Sequence, residues 1–379
     1  MKKFLQIFIL TIFNQLLFSQ VKLDITVIAP GLSDAEKVFI TGNQTALGNW
    51  NPGIISLDKA NDSTWNKAFL FPIHSTLEFK FTKGSWGKEA LDRDGKIPGN
   101  IILNIVKDTT VFLRVTNWSE TLLNISGMIT GNVNYHPSFA GKNLLPRDII
   151  VWLSPSYDSL PDKKYPVLYM HDGQNIFDPS TSSFGVDWQI DETADSLIKA
   201  NSIGEIIIVG IYNTYKRRIE YSYSDTGYFY MKFIVDELKP FIDSNYRTLI
   251  DRDNTAVCGS SLGGLISFMM LWEYSDIFSK AACFSPAFIM DSTYNLDFVS
   301  PVKGYSGYKK DIKIFIYNGG VGLEEELQPG IDEMLAALKE KGYKLDKDIL
   351  WIKDNSAEHN EAAWAKRVYK FLEFFFPNN

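Results

Sequence analysis

Residues 254–272 read Asn254-Thr-Ala-Val-Cys-Gly-Ser-Ser261-Leu-Gly-Gly-Leu-Ile-Ser-Phe-Met-Met-Leu-Trp272. Thr255 to Cys258 is short, apolar and partly β-branched, the composition of a buried strand. Leu262 to Trp272 is almost wholly apolar and long enough for three turns of buried helix. Between them stands Gly259-Ser260-Ser261-Leu262-Gly263, a G-x-S-x-G pentapeptide. A serine on a tight, strained strand-to-helix turn holds its hydroxyl exposed above the sheet. Glycines on either side let neighbouring backbones pack close. Such a turn is a nucleophile elbow, and Ser261 is the candidate nucleophile.

The surrounding rhythm supports a strand on one side and a helix on the other. From about residue 125 onward, apolar runs at 149–153, 166–170, 205–211, 255–258, 280–284, 312–317 and 349–352 alternate with helical stretches. That alternation predicts an α/β domain, with a mainly parallel sheet and helices on both faces. From about residue 21 to 120 the pattern differs. Short alternating or β-branched stretches are separated by Gly, Asn, Asp and Pro clusters, which predicts a small antiparallel β-sandwich. The candidate linker is Asn117 to Asn124. The expected layout is a leader over 1–20, the sandwich over 21–120 and the α/β domain over 121–379.

The leader is read from Lys2 and Lys3 ahead of the apolar run Phe4 to Phe18, ending in Ser19-Gln20. This is the pattern of a secretory signal peptide cleaved near Gln20, and it predicts a secreted or periplasmic protein. The run is short for a bilayer and is interrupted by Gln6, Asn14 and Gln15, so no membrane anchor is expected. A formal net charge of −7 makes nucleic acid and anionic membranes poor partners. The two cysteines, Cys258 and Cys283, form no disulfide framework and read as small apolar fillers. No His, Cys or carboxylate spacing suggests a metal, and neither metal nor organic cofactor is expected.

A serine nucleophile needs a base for its proton and an acid to orient that base. In the α/β-hydrolase arrangement these follow in the order Ser, Asp/Glu, His. Of His74, His136, His171 and His359, only His359 lies after Ser261. The acid belongs in the loop after the run 312–317, which carries Glu324, Glu325 and Glu326. Pro329 is expected in the first turn of the next helix, leaving the glutamates in or near the loop. Glu324, nearest the strand end, is the first candidate and Glu325 the second. The oxyanion needs backbone N–H donors. One is Leu262, and the other is Gln174 or Gly173 in the loop after the run 166–170. His171 in that loop is expected in a structural or pocket-wall role. Other expected pocket walls are Trp188, Asn213, Arg218, Glu220, Tyr221 and Trp364.

At these residues the chain resembles an esterase family of α/β-hydrolases that includes enterochelin-type esterases, feruloyl and acetylxylan esterases and the esterase D group. The matching stretches run over about 125–379: Tyr165-Pro-Val-Leu-Tyr-Met-His-Asp-Gly-Gln-Asn-Ile-Phe-Asp178, Arg218-Ile-Glu-Tyr221, Asp236-Glu-Leu-Lys-Pro-Phe-Ile-Asp243, Gly259 to Leu265, Phe284-Ser-Pro-Ala-Phe288 and His359-Asn-Glu-Ala-Ala-Trp364. The resemblance implies a serine hydrolase of carboxylic esters with Ser261 and His359 in the family's catalytic positions. Where the family often has Gly two residues before the histidine, this chain has Ala357. Val321-Gly322-Leu323 adds a residue ahead of the acid.

The N-terminal region is similar to a family 20 starch-binding module, through Gly42, Leu47-Gly-Asn-Trp50, Trp65, Glu78-Phe-Lys-Phe81 and Gly84-Ser-Trp86. That resemblance implies a glucan-binding surface of Trp50, Lys80 and Trp86, with polysaccharide as partner. Together these readings predict a secreted serine esterase acting on acyl groups of a carbohydrate or related small polar substrate. Two alternatives share the same residues. One is a carbohydrate-binding protein with an inactive hydrolase domain, the other an acyltransferase using the same acyl-enzyme.

Overall fold

The apolar runs of the second region pair into one eight-stranded sheet because each has two faces to bury. The strands are β1 (Asn132–Phe139), β2 (Arg147–Leu153), β3 (Val167–His171), β4 (Ile207–Ile211), β5 (Thr255–Ser260), β6 (Lys280–Phe284), β7 (Lys313–Asn318) and β8 (Ile349–Lys353). Their spatial order is β1-β2-β4-β3-β5-β6-β7-β8. β2 runs antiparallel to both β1 and β4, and every other pairing is parallel. The computed structural model describes residues 20–378 apart from 34–35, 49–51, 85–87, 93–94, 96–97, 120–128, 180, 184 and 291–295. The leader up to Ser19, most of the candidate linker, and Trp50 and Trp86 therefore lie outside the described residues. The chain divides into two compact units, Met1–Ser119 and Glu120–Asn379.

Alternate residues of each strand enter separate cores. Val151, Tyr169, Val209, Val257 and Ile316 join one core with α2 (Leu262–Glu273) and α3 (Leu323–Glu340). Trp152, Met170, Ile208, Cys258 and Phe315 join the other with α1 (Ile190–Lys199) and α4 (Val368–Phe375). Burial on both faces is why these strands read as unbroken apolar runs. In α2 every residue from Leu262 to Trp272 is buried. Cys258 and Cys283 sit on neighbouring strands but in opposite cores, so their thiols face away from one another and both are free. Burial pushes both thiols up. Among the described residues no helix is long and apolar enough to cross a membrane.

Two elements differ from the sequence reading. β1 was not anticipated, since Asn132–Phe139 is polar and contains Pro137. It is an edge strand with a register shift between His136 and Phe139, the setting in which a proline does least harm. Pro329 does not mark the first turn of a helix either. α3 begins at Leu323 and carries Pro329 within its second turn. The helix runs on through Pro329, which gives up its N–H donor and crowds the carbonyl four residues earlier.

The first unit contains two four-stranded sheets. One has the order 58–61, 64–72, 20–28, 109–114, and the other 55–56, 39–42, 75–82, 101–105. Pairing is antiparallel apart from Gln20–Ile28 with Thr109–Arg114, which run parallel. Leu23, Ile25, Val27, Trp65 and Phe71 share a core with Ile40, Leu77 and Phe79. Trp65 is thus a packing residue. Lys80 is also buried, with its Nζ 2.6 Å from Glu89 Oε1. Its charge is committed to an internal partner that the sequence reading did not foresee.

A second buried pair lies in the larger unit. Arg147 at the start of β2 meets Glu220 through two bonds of 2.9 and 3.2 Å, both side chains fully buried, with the guanidinium over the Tyr230 ring. Removing one partner strands the other in a dry interior. Glu220→Ala is therefore expected to destabilise the protein by about 3–5 kcal/mol, read from urea unfolding. A change below about 1 kcal/mol would mean that Arg147 finds water or another acceptor.

Candidate active site

β5 ends at Ser260, and Ser261 turns the chain directly into α2 with φ 59° and ψ −121°. Residues with a side chain seldom adopt positive φ. Three backbone bonds hold the turn. Ser261 N–H donates to the Phe284 carbonyl at 2.8 Å, and the Ser261 carbonyl accepts from Leu265 at 3.0 Å and Ala287 at 3.2 Å. Gly259 is required as well, since a Cβ there would lie 2.7 Å from backbone atoms of Gly263. Ser260 and Leu262 are buried, while Ser261 between them stays partly exposed.

The acid comes from a similar turn two strands away. β7 ends at Asn318, and Gly322 enters α3 with φ 65° and ψ −124°. The three glutamates consequently fall in the first turn of α3, where helical periodicity separates them. Glu324 points inward and is fully buried, while Glu325 and Glu326 are exposed. Glu324 Oε1 lies 3.0 Å from His359 Nδ1, and Glu324 Oε2 accepts from the Gly319 N–H at 3.0 Å. Between the two candidates, Glu324 is the one that reaches the histidine.

The loops carrying these two side chains are laced together. Gly320 and Val321 both donate to the Ala357 carbonyl, at 3.1 and 3.2 Å, and Asp354 donates to the Asn318 carbonyl at 2.9 Å. A Cβ at Gly319 would come within 2.3 Å of the Ala357 oxygen. Ala357 acts through its carbonyl, a group any residue supplies. The His359 ring stands edge-on to Trp364 at 5.1 Å, and Trp364 Nε1 donates to Ser285 Oγ at 2.9 Å. With Nδ1 bonded to Glu324, Nε2 is the nitrogen left to exchange a proton.

The other loop of the site follows β3. Asp172 is left-handed (φ 59°, ψ 45°) and opens a short turn over Gly173–Asn175. Gly173 lacks a side chain because a Cβ would lie 2.5 Å from the Gly210 carbonyl carbon on β4. The position needs a glycine for close packing against the sheet. Among the described residues, the N–H groups of Leu262, Gly173 and Gln174 have no acceptor, as first-turn N–H groups characteristically do not. His171 is sealed behind this loop with Nδ1 2.8 Å from the Tyr230 hydroxyl. Burial lowers its pKa to about 3, so it stays neutral and takes no part in proton transfer at ordinary pH.

Arg217 joins this loop to the elbow. Its Nε and Nη2 hold Asp172 at 2.7 and 2.8 Å, and Nη2 also donates to the Ser260 carbonyl at 3.3 Å. Asn213 Nδ2 adds a bond to Asp172 at 2.7 Å. Burial works to raise the Asp172 carboxyl, but Arg217 and Asn213 hold it below the usual carboxylate value. The pocket-wall expectation placed Arg218 here, and the structure places Arg217 here instead, with Arg218 exposed. The readable signal was helical spacing: Arg217 lies four residues before Tyr221 and stacks on its ring at 5.1 Å. Glu220 is not a pocket wall, being buried against Arg147, and Tyr221 is fully buried. Trp188 and Trp364 are packed together at 5.6 Å and are both buried.

Glu361, two residues after the histidine, was not anticipated. It is buried, and its Oε1 accepts from Asn175 Nδ2 at 3.3 Å, so it ties the histidine loop to the loop after β3. Burial pushes its carboxyl up to about 7, with the Asp172 charge adding to the rise and Arg217 opposing it.

The same arrangement of elements occurs in known proteins. A family model described as "Putative esterase" matches residues 144–371, more than half of the chain, and a starch-binding-domain model matches residues 20–95. The chain is 22% identical over 252 residues to the uncharacterized protein YbbA of Bacillus subtilis, covering 62% of this chain and 94% of that one. It is 25% identical over 267 residues to an endo-1,4-beta-xylanase/feruloyl esterase of Xylanibacter ruminicola, covering 69% of this chain but only 31% of that protein. Among solved structures it is similar to a ferulic acid esterase (TM-score 0.54, 22% identity, 65% of this chain and 98% of that one). It is also similar to the enterobactin esterase of Shigella flexneri (TM-score 0.54, 11% identity, 93% and 92%). At these identities the structural likeness speaks for the fold.

The raised carboxyl of Glu361 has a pH consequence. Its value lies near 7 in the folded chain against 4.5 ordinarily, so the folded state holds the extra proton between those limits. The associated stability is fully present below about pH 4.5 and is lost as pH rises through about 7, a difference on the order of 3 kcal/mol. Glu361→Gln should remove this slope. Melting temperatures of wild type and variant, measured from pH 5 to 8, should diverge in favour of the variant as pH rises. Parallel curves would contradict the assignment.

Proposed function

Because the chain belongs to the "Putative esterase" family, a family of carboxylic ester hydrolases, we propose that it works through a Ser261–His359–Glu324 triad. The observation that carries this reading is the 3.0 Å contact of buried Glu324 with His359 Nδ1, in loops laced to one another beyond the ends of β7 and β8. In the proposed cycle, His359 Nε2 takes the Ser261 proton as Oγ attacks the ester carbonyl. Glu324 holds the imidazole in the tautomer with its proton on Nδ1. The N–H groups of Leu262 and of Gly173 or Gln174 receive the oxyanion. His359 then protonates the leaving alcohol. Water, deprotonated by the same nitrogen, releases the acid and restores the serine.

The substrate in this reading is an acyl group on a carbohydrate or a related small polar molecule. Support comes from the starch-binding-domain match and from the relative named as a xylanase and feruloyl esterase. Trp50 and Trp86 would stack on sugar rings, and Lys80, already held by Glu89, is the weakest member of that set. The Lys2-Lys3 and Phe4 to Phe18 segment supports export to the periplasm or the medium.

Ser261→Ala should abolish release of free acid from acetyl and feruloyl esters while circular dichroism stays unchanged; undiminished turnover would overturn the triad. Glu324→Gln should lower kcat by up to about 10⁴-fold, whereas Glu325→Gln should leave it within about twofold. Retardation in starch-containing native gels, lost on Trp50→Ala, tests the first unit. Migration unaffected by starch would refute glucan binding and leave the esterase assignment standing.

A further inference from the structure

Away from Ser261, three carboxylates crowd the start of α1. Asp187, Asp191 and Glu192 each place an oxygen within 4.8 Å of the others. The sequence shows no metal-ligand spacing because the set spans a turn: Gln189, with φ 51°, folds Asp187 back over the first turn of the helix. Carboxylates near a helix N-terminus are ordinary in themselves. Asp187 fits that description, since it accepts from the Gln189 N–H at 3.0 Å.

Asp191 does not fit it. Its side chain is completely buried, with Oδ2 accepting from the Thr130 N–H at 2.6 Å. Its Oδ1 is buried and has no hydrogen-bond partner among the described residues, and the same is true of Glu192 Oε2. No lysine, arginine or histidine among the described residues pairs with any of the three. Burial, reinforced by Glu192, pushes Asp191 up to about 8. Burial raises Asp187 to about 6. Buried oxygens without a partner lack a positive charge, and none of the described residues supplies one.

We propose that Asp187, Asp191 and Glu192 bind one hard divalent cation, with Ca²⁺ the best match. The donors are all carboxylate oxygens, without the imidazole or thiolate that would favour zinc or copper. An irregular three-carboxylate set suits Ca²⁺ better than Mg²⁺, which demands near-ideal octahedral geometry. The cation joins the start of β1, through Asp191 and Thr130, to the segment that carries Trp188. Trp188 packs on Trp364, which in turn lies against His359.

The test is calorimetric titration of EDTA-stripped full chain with CaCl₂ at pH 7.5, paired with melts in CaCl₂ and in EDTA. One Ca²⁺ per chain should bind and raise the melting temperature. Asp191→Asn should weaken binding at least tenfold. Should Asp191→Asn fail to fold, Glu192→Gln, at the more open end of the set, should do the same. Absence of binding with identical melts in CaCl₂ and EDTA overturns the proposal. So does Ca²⁺ binding that neither variant weakens. Stabilisation by acid alone, without a Ca²⁺ response, also overturns it and means that the carboxyls share protons instead.

Discussion

Two strands of the large sheet turn into helices through nearly the same backbone conformation, at Ser261 (φ 59°, ψ −121°) and at Gly322 (φ 65°, ψ −124°). The glycine takes up this conformation without steric cost; the serine stores about 1–3 kcal/mol of strain in it. Backbone bonds to Phe284, Leu265 and Ala287 offset that strain. The turn at Gly322 decides where Glu324 goes, since a gentler one would rotate α3 and carry Glu324 off His359. The turn at Ser261 sets the direction of the serine hydroxyl. The rigid sheet and the turn at Gly322 together bring Glu324 to His359, 35 positions further along the chain.

Buried charge in this protein is mostly handled in pairs. Arg147 with Glu220 and Lys80 with Glu89 each place a cation on a carboxylate out of water, and Arg217, itself partly exposed, holds the buried Asp172. The Arg217 pair is the one beside the candidate site, since the same guanidinium holds the loop after β3 and the Ser260 carbonyl ahead of Ser261. Where carboxylates are buried without a paired cation, at Glu361, Asp187 and Asp191, burial raises the pKa, and at Glu89 it does so even against Lys80.

Much of the large sheet was legible because its strands bury both faces and so read as uninterrupted apolar runs. The edge strand Asn132–Phe139 was not, for the converse reason: it is half solvated, so neither its composition nor its Pro137 signals a strand. At the site, chain order alone left His359 as the histidine able to follow Ser261. The choice among three adjacent glutamates needed the helix phase, which depends on where α3 starts. Pro329 misled there because a proline in a second turn removes a single bond and is tolerated. Arg217 was passed over for Arg218 because neighbouring arginines look alike until one is seen to share a helical face with Tyr221. The sequence offers Gly173 as an oxyanion donor, and the close approach of β4 that requires a glycine there becomes visible only once the sheet is assembled.

The parallel pairing of Gln20–Ile28 with Thr109–Arg114 reaches beyond the static fold. The first strand of the small unit is an interior strand of its sheet, and one edge partner arrives only at the end of the module, with Lys22 bonded to Asp108 across 86 residues. No nascent chain that ends before Thr109–Arg114 can complete that sheet. The module must wait until this last strand is delivered, and non-local closure of this kind is slow. Until then the opening strand is held unpaired on one side, while the far longer second unit has still to be made.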